Sequence, residues 1–181
     1  MIRLRQIINN IINMVISSGL KGLVVFYSLE GNTKFIAAKM AQAFGSDILE
    51  LKPEKEINAE GSMRFFWGGG QVIMKETPKL KEYKISPKDY DLIIIGTPVW
   101  AFNFTPPIRT FLKEKKITGK KLILFCTHAG AKGKTLENLS AVLADNELIG
   151  AADFLNVLND REKNLVKLEE FVENIKIKLT K

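Results

Sequence analysis

The stretch Ser28-Leu29-Glu30-Gly31-Asn32-Thr33 gathers two hydroxyls, a side-chain amide, a carboxylate and a glycine within six positions. It follows an apolar run and opens a segment with helical spacing. Glycine lets a backbone approach a ligand closely, and successive N–H groups entering a helix form a ready anion site. The plainer reading is a capped helix start, since Ser and Asn are good N-caps. Glu30 looks out of place in an anion site. If backbone N–H groups and the helix dipole hold the anion, Glu30 contributes its N–H and leaves its carboxylate in solvent, where screening keeps the repulsion modest.

Two further stretches leave the ends of apolar runs. In "GTPVWAFNFTPPIRTFL" (96–112), Trp100 directly follows a strand-like run. A large aromatic is usually core, but Pro98, Pro106 and Pro107 predict a stiff, extended loop that holds Trp100 and Phe102 outward, where their rings could stack on a planar ligand. In "CTHAGAKGKT" (126–135), small residues permit backbone contact with a ligand edge. Several other chemistries are excluded. One His and one Cys cannot make a zinc site. "AGAKGKT" ends like a phosphate-binding P-loop, but the residue five before Gly133 is His128, not glycine. "WGGG" lacks dinucleotide-fingerprint spacing. A phospho-receiver should carry paired acids after its first strand, where this chain reads Phe26-Tyr27-Ser28.

These stretches need elements to position them. The chain has 181 residues, 46% hydrophobic and 26% charged, as in an ordinary single globular domain. Short apolar runs predict strands over 22–27, 47–51, 91–96, 121–126 and 148–157. Helical spacing predicts helices over 32–44 (Ile36, Ala37, Met40, Phe44), over 134–144 (Leu136, Leu139, Leu143), and at the C-terminus, with a stripe of Leu165, Leu168, Phe171, Val172 and Ile175. Continuous apolar strands alternating with helices indicate a parallel sheet covered on both faces. Residues 52–90 are long for a crossover, and a helix is expected over about 63–75. Residues 1–20 read as an N-terminal extension forming an amphipathic helix (Leu4, Ile8, Ile11, Val15), which docks on the domain, on another copy or weakly on a membrane surface. A start codon assigned too early fits as well. No segment reads as a membrane span. The formal charge of +7 comes from scattered lysines, the pattern of a solvated surface rather than a nucleic-acid site. The single cysteine, Cys126, sits in an apolar run and suits a reduced cytoplasmic thiol.

Together the three loops resemble the flavodoxin family over about residues 21–178. "SLEGNT" resembles its phosphate loop, "GTPVWAFNFTPP" the loop that lays an aromatic ring on the flavin, and "CTHAGAKG" its third flavin loop. "FFWGGGQ" ahead of "GTPVW" resembles a bacterial and archaeal subgroup. The resemblance implies an α/β, three-layer fold with a five-stranded parallel sheet of order 2-1-3-4-5 over 21–181, and FMN as cofactor. By position, Ser28, Leu29, Glu30, Gly31, Asn32 and Thr33 would hold the phosphate. Thr97, Pro98, Val99, Trp100, Ala101, Phe102 and Asn103 would line the ring. Thr127, His128, Ala129, Gly130 and Gly133 would edge its pyrimidine side. The family uses neither a metal nor a covalent nucleophile. Three departures stand out. Glu30 replaces the usual threonine. No glycine lies between Thr97 and Pro107, where a peptide flip would need positive φ, at a cost on the order of 1 kcal/mol for other residues. Finally, the chain is basic where many electron-carrying relatives are acidic, so a redox partner protein with an acidic docking face is expected.

No acid–base pair stands out in the sequence, so an FMN electron carrier is the leading expectation, since the cofactor carries the chemistry. Trp100 on the ring would make an apolar wall that disfavours the anionic reduced flavin. The alternative is an FMN-dependent NAD(P)H oxidoreductase acting on a quinone, nitro compound or flavin. For it, His128 could tune the flavin or donate a proton, and Phe65, Phe66 and Trp67 could wall a substrate pocket. The plainer readings are a solvated loop histidine and core aromatics. A cofactor-free binding module is the third reading, and Glu30 is its best argument.

Overall fold

The computed structural model describes residues 19–55 and 76–180. The expected helix over 63–75, residues 1–18 of the expected N-terminal helix, and Phe65, Phe66 and Trp67 lie outside these residues, while Gly19 and Leu20 are not helical. The described elements run β1 (Gly22–Phe26), α1 (Asn32–Phe44), β2 (Asp47–Glu50), a single 3-10 turn (Pro87–Asp89), β3 (Leu92–Pro98), α2 (Pro106–Glu114), β4 (Lys121–His128), α3 (Thr135–Ala141), β5 (Glu147–Leu155) and α4 (Arg161–Leu179).

The five strands form one sheet of order β2-β1-β3-β4-β5, parallel throughout. Burial on both faces explains the unbroken apolar runs: Leu23 to Phe26, Leu92 to Ile95 and Leu122 to Cys126 are all buried. On one face, Val24, Phe26, Ile94 and Phe125 pack against Ile36, Ala37 and Met40 of α1 and Leu168, Val172 and Ile175 of α4. On the other, Val25, Ile93, Ile95, Leu124 and Cys126 meet Ile108 and Phe111 of α2 and Leu136 and Leu139 of α3. These are the three layers expected from the sequence.

Segment 96–112 departs from expectation. It is not a stiff extended loop, because Pro106 and Pro107 open α2. A proline at a helix start gives up an N–H that has no helical partner anyway, and its φ already suits the helix. The strand read as 148–157 closes at Leu155, which leaves 156–160 as a loop.

Candidate functional site

β1 and β3 are neighbours although β2 separates them in sequence, so the strand order reverses between them. A crevice at the carboxyl ends of the strands is expected there. Four loops converge at this end: 27–31 after β1, 99–105 after β3, 129–134 after β4 and 156–160 after β5. They enclose a cavity of about 420 Å³ lined by Ser28, Leu29, Glu30, Asn32, Thr33, Pro98, Val99, Trp100, Ala101, Thr127, His128, Ala129, Asn156, Leu158 and Asn159. The volume lies within the usual range of small-molecule and cofactor sites.

Hydrogen bonds tie these loops to the ends of the elements beside them. The buried hydroxyls of Thr33 and Thr127 lie 2.8 Å apart, joining the start of α1 to the end of β4. Val99 N–H donates to the Thr127 carbonyl at 2.9 Å, joining the second loop to the end of β4. Asn156 N–H donates to the His128 carbonyl at 2.9 Å. Leu158 N–H donates to Asn32 Oδ1 at 3.1 Å, joining the fourth loop to the start of α1.

The first loop is organised by Ser28. Its Oγ accepts from Gly31 N–H at 3.1 Å and from Lys34 N–H at 3.2 Å, leaving the hydroxyl proton to donate elsewhere. Gly31 has φ 90°, a left-handed conformation that glycine adopts without penalty. Among the described residues no acceptor meets the N–H groups of Asn32 or Thr33 in the first turn of α1, so these donors remain for an anion. Glu30 is exposed at the rim.

In the second loop Trp100 is half-buried rather than outward. It meets Tyr27 edge-to-face, with ring centroids 5.5 Å apart, and lines the cavity. Trp100 and Asn103 exchange two backbone hydrogen bonds of 3.0 Å. Between them Ala101 and Phe102 take φ of 46° and 59°. The loop thus already holds the left-handed conformation that the absence of glycine argued against. Phe102, 63% exposed, stands at the tip outside the cavity lining. Gly133 backs it: a Cβ there would come within 2.4 Å of Phe102 Cβ, and its own φ is 53°. Thr97 is fully buried behind the loop and bonded to Thr105. Asn103, Gly130, Gly133, Gly31 and Phe102 therefore shape or flank the loops, while the other expected residues apart from Thr97 line the cavity.

His128 is not a solvated loop residue. It closes β4, and its side chain is 8% exposed. Nδ1 lies 2.8 Å from the Gly130 carbonyl and Nε2 lies 3.2 Å from Asp153 Oδ2. Asp153 also receives Lys132 at 3.2 Å and Lys167 at 3.5 Å. Burial opposes its ionisation, but the hydrogen bonds from His128 and Lys132 and the charges of Lys167 and Lys132 outweigh that, holding its carboxyl at about 2. Burial pushes the Cys126 thiol up to about 12, so it stays protonated. Among the described residues no three metal-ligating side chains come together.

Asn156, Leu158 and Asn159 escaped the sequence reading, which ran the last strand through Val157. The signal was present: "LNVLND" places three polar residues between an apolar strand and a helix.

The sequence model of the family described as Flavodoxin matches residues 21–175. This chain belongs to the flavodoxin family. Solved structures agree with a flavodoxin fold. A flavoprotein from Lactobacillus acidophilus NCFM, solved in complex with FMN, is 28% identical with a TM-score of 0.66, over 78% of this chain and 97% of its own. A crystal structure from Bacteroides eggerthii DSM 20697 is 23% identical with a TM-score of 0.65, over 83% and 97%. The two-electron reduced flavodoxin of Megasphaera elsdenii is 18% identical with a TM-score of 0.52, over 86% and 98%. The last two show the shared fold. No curated protein matches the sequence.

Proposed function

We propose that this chain binds FMN in the four-loop cavity and carries electrons between redox proteins. The observation that carries this reading is the convergence of an anion-ready helix start, a half-buried tryptophan and a polar strand end on one cavity of about 420 Å³. The residues suit FMN by their chemistry. The free N–H groups of Asn32 and Thr33, with the hydroxyl of Ser28, would hold the phosphate. Trp100 would face the ring, and the loop after β4 would present backbone to the pyrimidine edge. Bound FMN supplies the electron chemistry, and the protein binds it, orients it and excludes water.

A carrier is favoured over a reductase by the state of the titratable groups at the cavity. Of the described side chains lining it, only Glu30 and His128 titrate, and both ring nitrogens of His128 already face acceptors in the protein. The surface beside the site supports an acidic partner. Phe102 is an exposed apolar contact, Lys132 and Lys134 flank the Gly133 that backs it, and Lys167 stands nearby on Asp153. A fully buried lone thiol supports a reducing, cytoplasmic setting.

Anaerobic titration of the FMN-loaded protein against reduced and oxidised donor proteins tests the reading. Electron exchange with proteins and slow NAD(P)H oxidation are expected. Rapid NAD(P)H oxidation with a quinone, nitro compound or free flavin would select the reductase, and failure to exchange electrons with any protein would overturn the carrier.

A further inference from the structure

The Asp153 cluster beside the cavity has a charge pattern that the carrier reading does not use. A neutral imidazole has one donor nitrogen and one acceptor nitrogen. Here both ring nitrogens of His128 face acceptors: the Gly130 carbonyl at 2.8 Å and the Asp153 carboxylate at 3.2 Å. The carbonyl cannot donate, and the carboxylate is held ionised by its other partners. Only the doubly protonated ring satisfies both contacts. A neutral ring would leave one nitrogen lone pair against an oxygen, and either Gly130 or Asp153 would have to turn away.

Charged groups from several elements gather on Asp153, the carboxylate that meets this ring. Asp153 comes from β5, Lys132 from the loop after β4 and Lys167 from α4. Glu137 of α3 lies within electrostatic range of Lys132, and the protonated Cys126 thiol is the strand partner of Asp153. Glu30 lies on the first loop of the same cavity. Three cations around one carboxylate leave this edge net positive, with the cationic ring nearly enclosed at the cavity wall. Charges so placed interact more strongly than exposed ones.

We propose that His128, pinned as imidazolium between Gly130 and Asp153, is a fixed cation at the cavity wall that favours the electron-rich form of the bound cofactor, with Asp153 as its positioning residue. This rests on the FMN reading above. It opposes the apolar effect of Trp100: a nearby cation stabilises the negative charge that the ring gains on reduction. By linkage, what the proton on His128 does for that charge, the charge does for the proton, so the stabilisation fades as the imidazole deprotonates.

The test uses His128→Gln, which keeps a neutral donor toward Asp153. The midpoint potential of bound FMN is measured electrochemically from about pH 6 to about pH 9. Wild type should lie above the variant at the acid end, and the two curves should converge at the alkaline end. Coincident or parallel curves overturn the proposal while leaving FMN binding intact. Wild type that keeps no flavin bands after FMN addition and desalting instead overturns the cofactor reading. A second measurement needs no cofactor. His128 is the chain's one histidine, so ring ¹⁵N resonances of the FMN-free protein report it alone. Asp153→Asn should lose the second ring proton at lower pH than wild type, and identical titrations would overturn the coupling. This readout decides the matter if His128→Gln does not fold.

Discussion

At the residue scale, the hydroxyl pair of Thr33 and Thr127 joins the start of α1 to the end of β4 and lines the cavity, so Thr33→Ala loses a contact twice over. It leaves Thr127 with one partner fewer in a buried place and removes a donor from the cavity wall. A cost of about 1–2 kcal/mol follows for such a loss, on the order of tenfold in Kd for FMN by calorimetric titration. Glu30→Thr should change affinity less, and in the tightening direction, because Glu30 is exposed at the rim. Asp153 gives a pH prediction. Its folded carboxyl titrates at about 2, below the value of about 3.9 in an unfolded chain. Its contribution is therefore present above about pH 4 and disappears as pH falls toward 2. Urea denaturation should show wild type more stable than Asp153→Asn at about pH 6, with the gap narrowing below about pH 4. The three-loop pattern was readable in the residues themselves, because each loop shows small and polar types where an apolar run stops. The pairing of His128 with Asp153 was not. The two lie 25 positions apart, and they meet only because parallel pairing sets β4 beside β5 with Cys126 against Asp153.

At the element scale, β3 lies between β1 and β4, and its carboxyl end delivers Trp100 to the cavity. Gly96 lets the Phe125 ring of β4 cross it: an added Cβ would come within 2.1 Å of that ring. Phe125 is fully buried and packed on Phe154, so it has little room to yield. Gly96→Ala should destabilise the fold by about 1–3 kcal/mol in chemical denaturation. Strand positions were legible because burial on both faces demands unbroken apolar residues. The N-terminus of α2 was not, because prolines suit both an extended loop and the first turn of a helix, and nothing local decides between them. The fourth loop was hidden for a related reason. Val157 continues the apolar pattern of β5, yet it is buried in the core beyond the end of the strand.

At the scale of the whole molecule, the parallel sheet and its two covered faces followed from alternation, since parallel strands need crossovers and crossovers need helices, whereas the order 2-1-3-4-5, which the structure has, was implied only by the family resemblance of the three loops. The basic surface beside the site was legible only as a total charge; the fold brings Lys132 and Lys167 onto Asp153, the partner of His128, and sets Lys132 and Lys134 on either side of the Gly133 that backs Phe102. If that patch steers an acidic redox protein, association should slow on the order of tenfold between low and high salt. Lys132→Glu combined with Lys134→Glu should remove most of that salt dependence in stopped-flow mixing. The central claim is that the four loops form an FMN site, and an absorbance titration of the purified protein with FMN tests it most directly. The account predicts saturable, one-to-one binding, with flavin bands that survive desalting. A protein that stays colourless after FMN addition and desalting would contradict it.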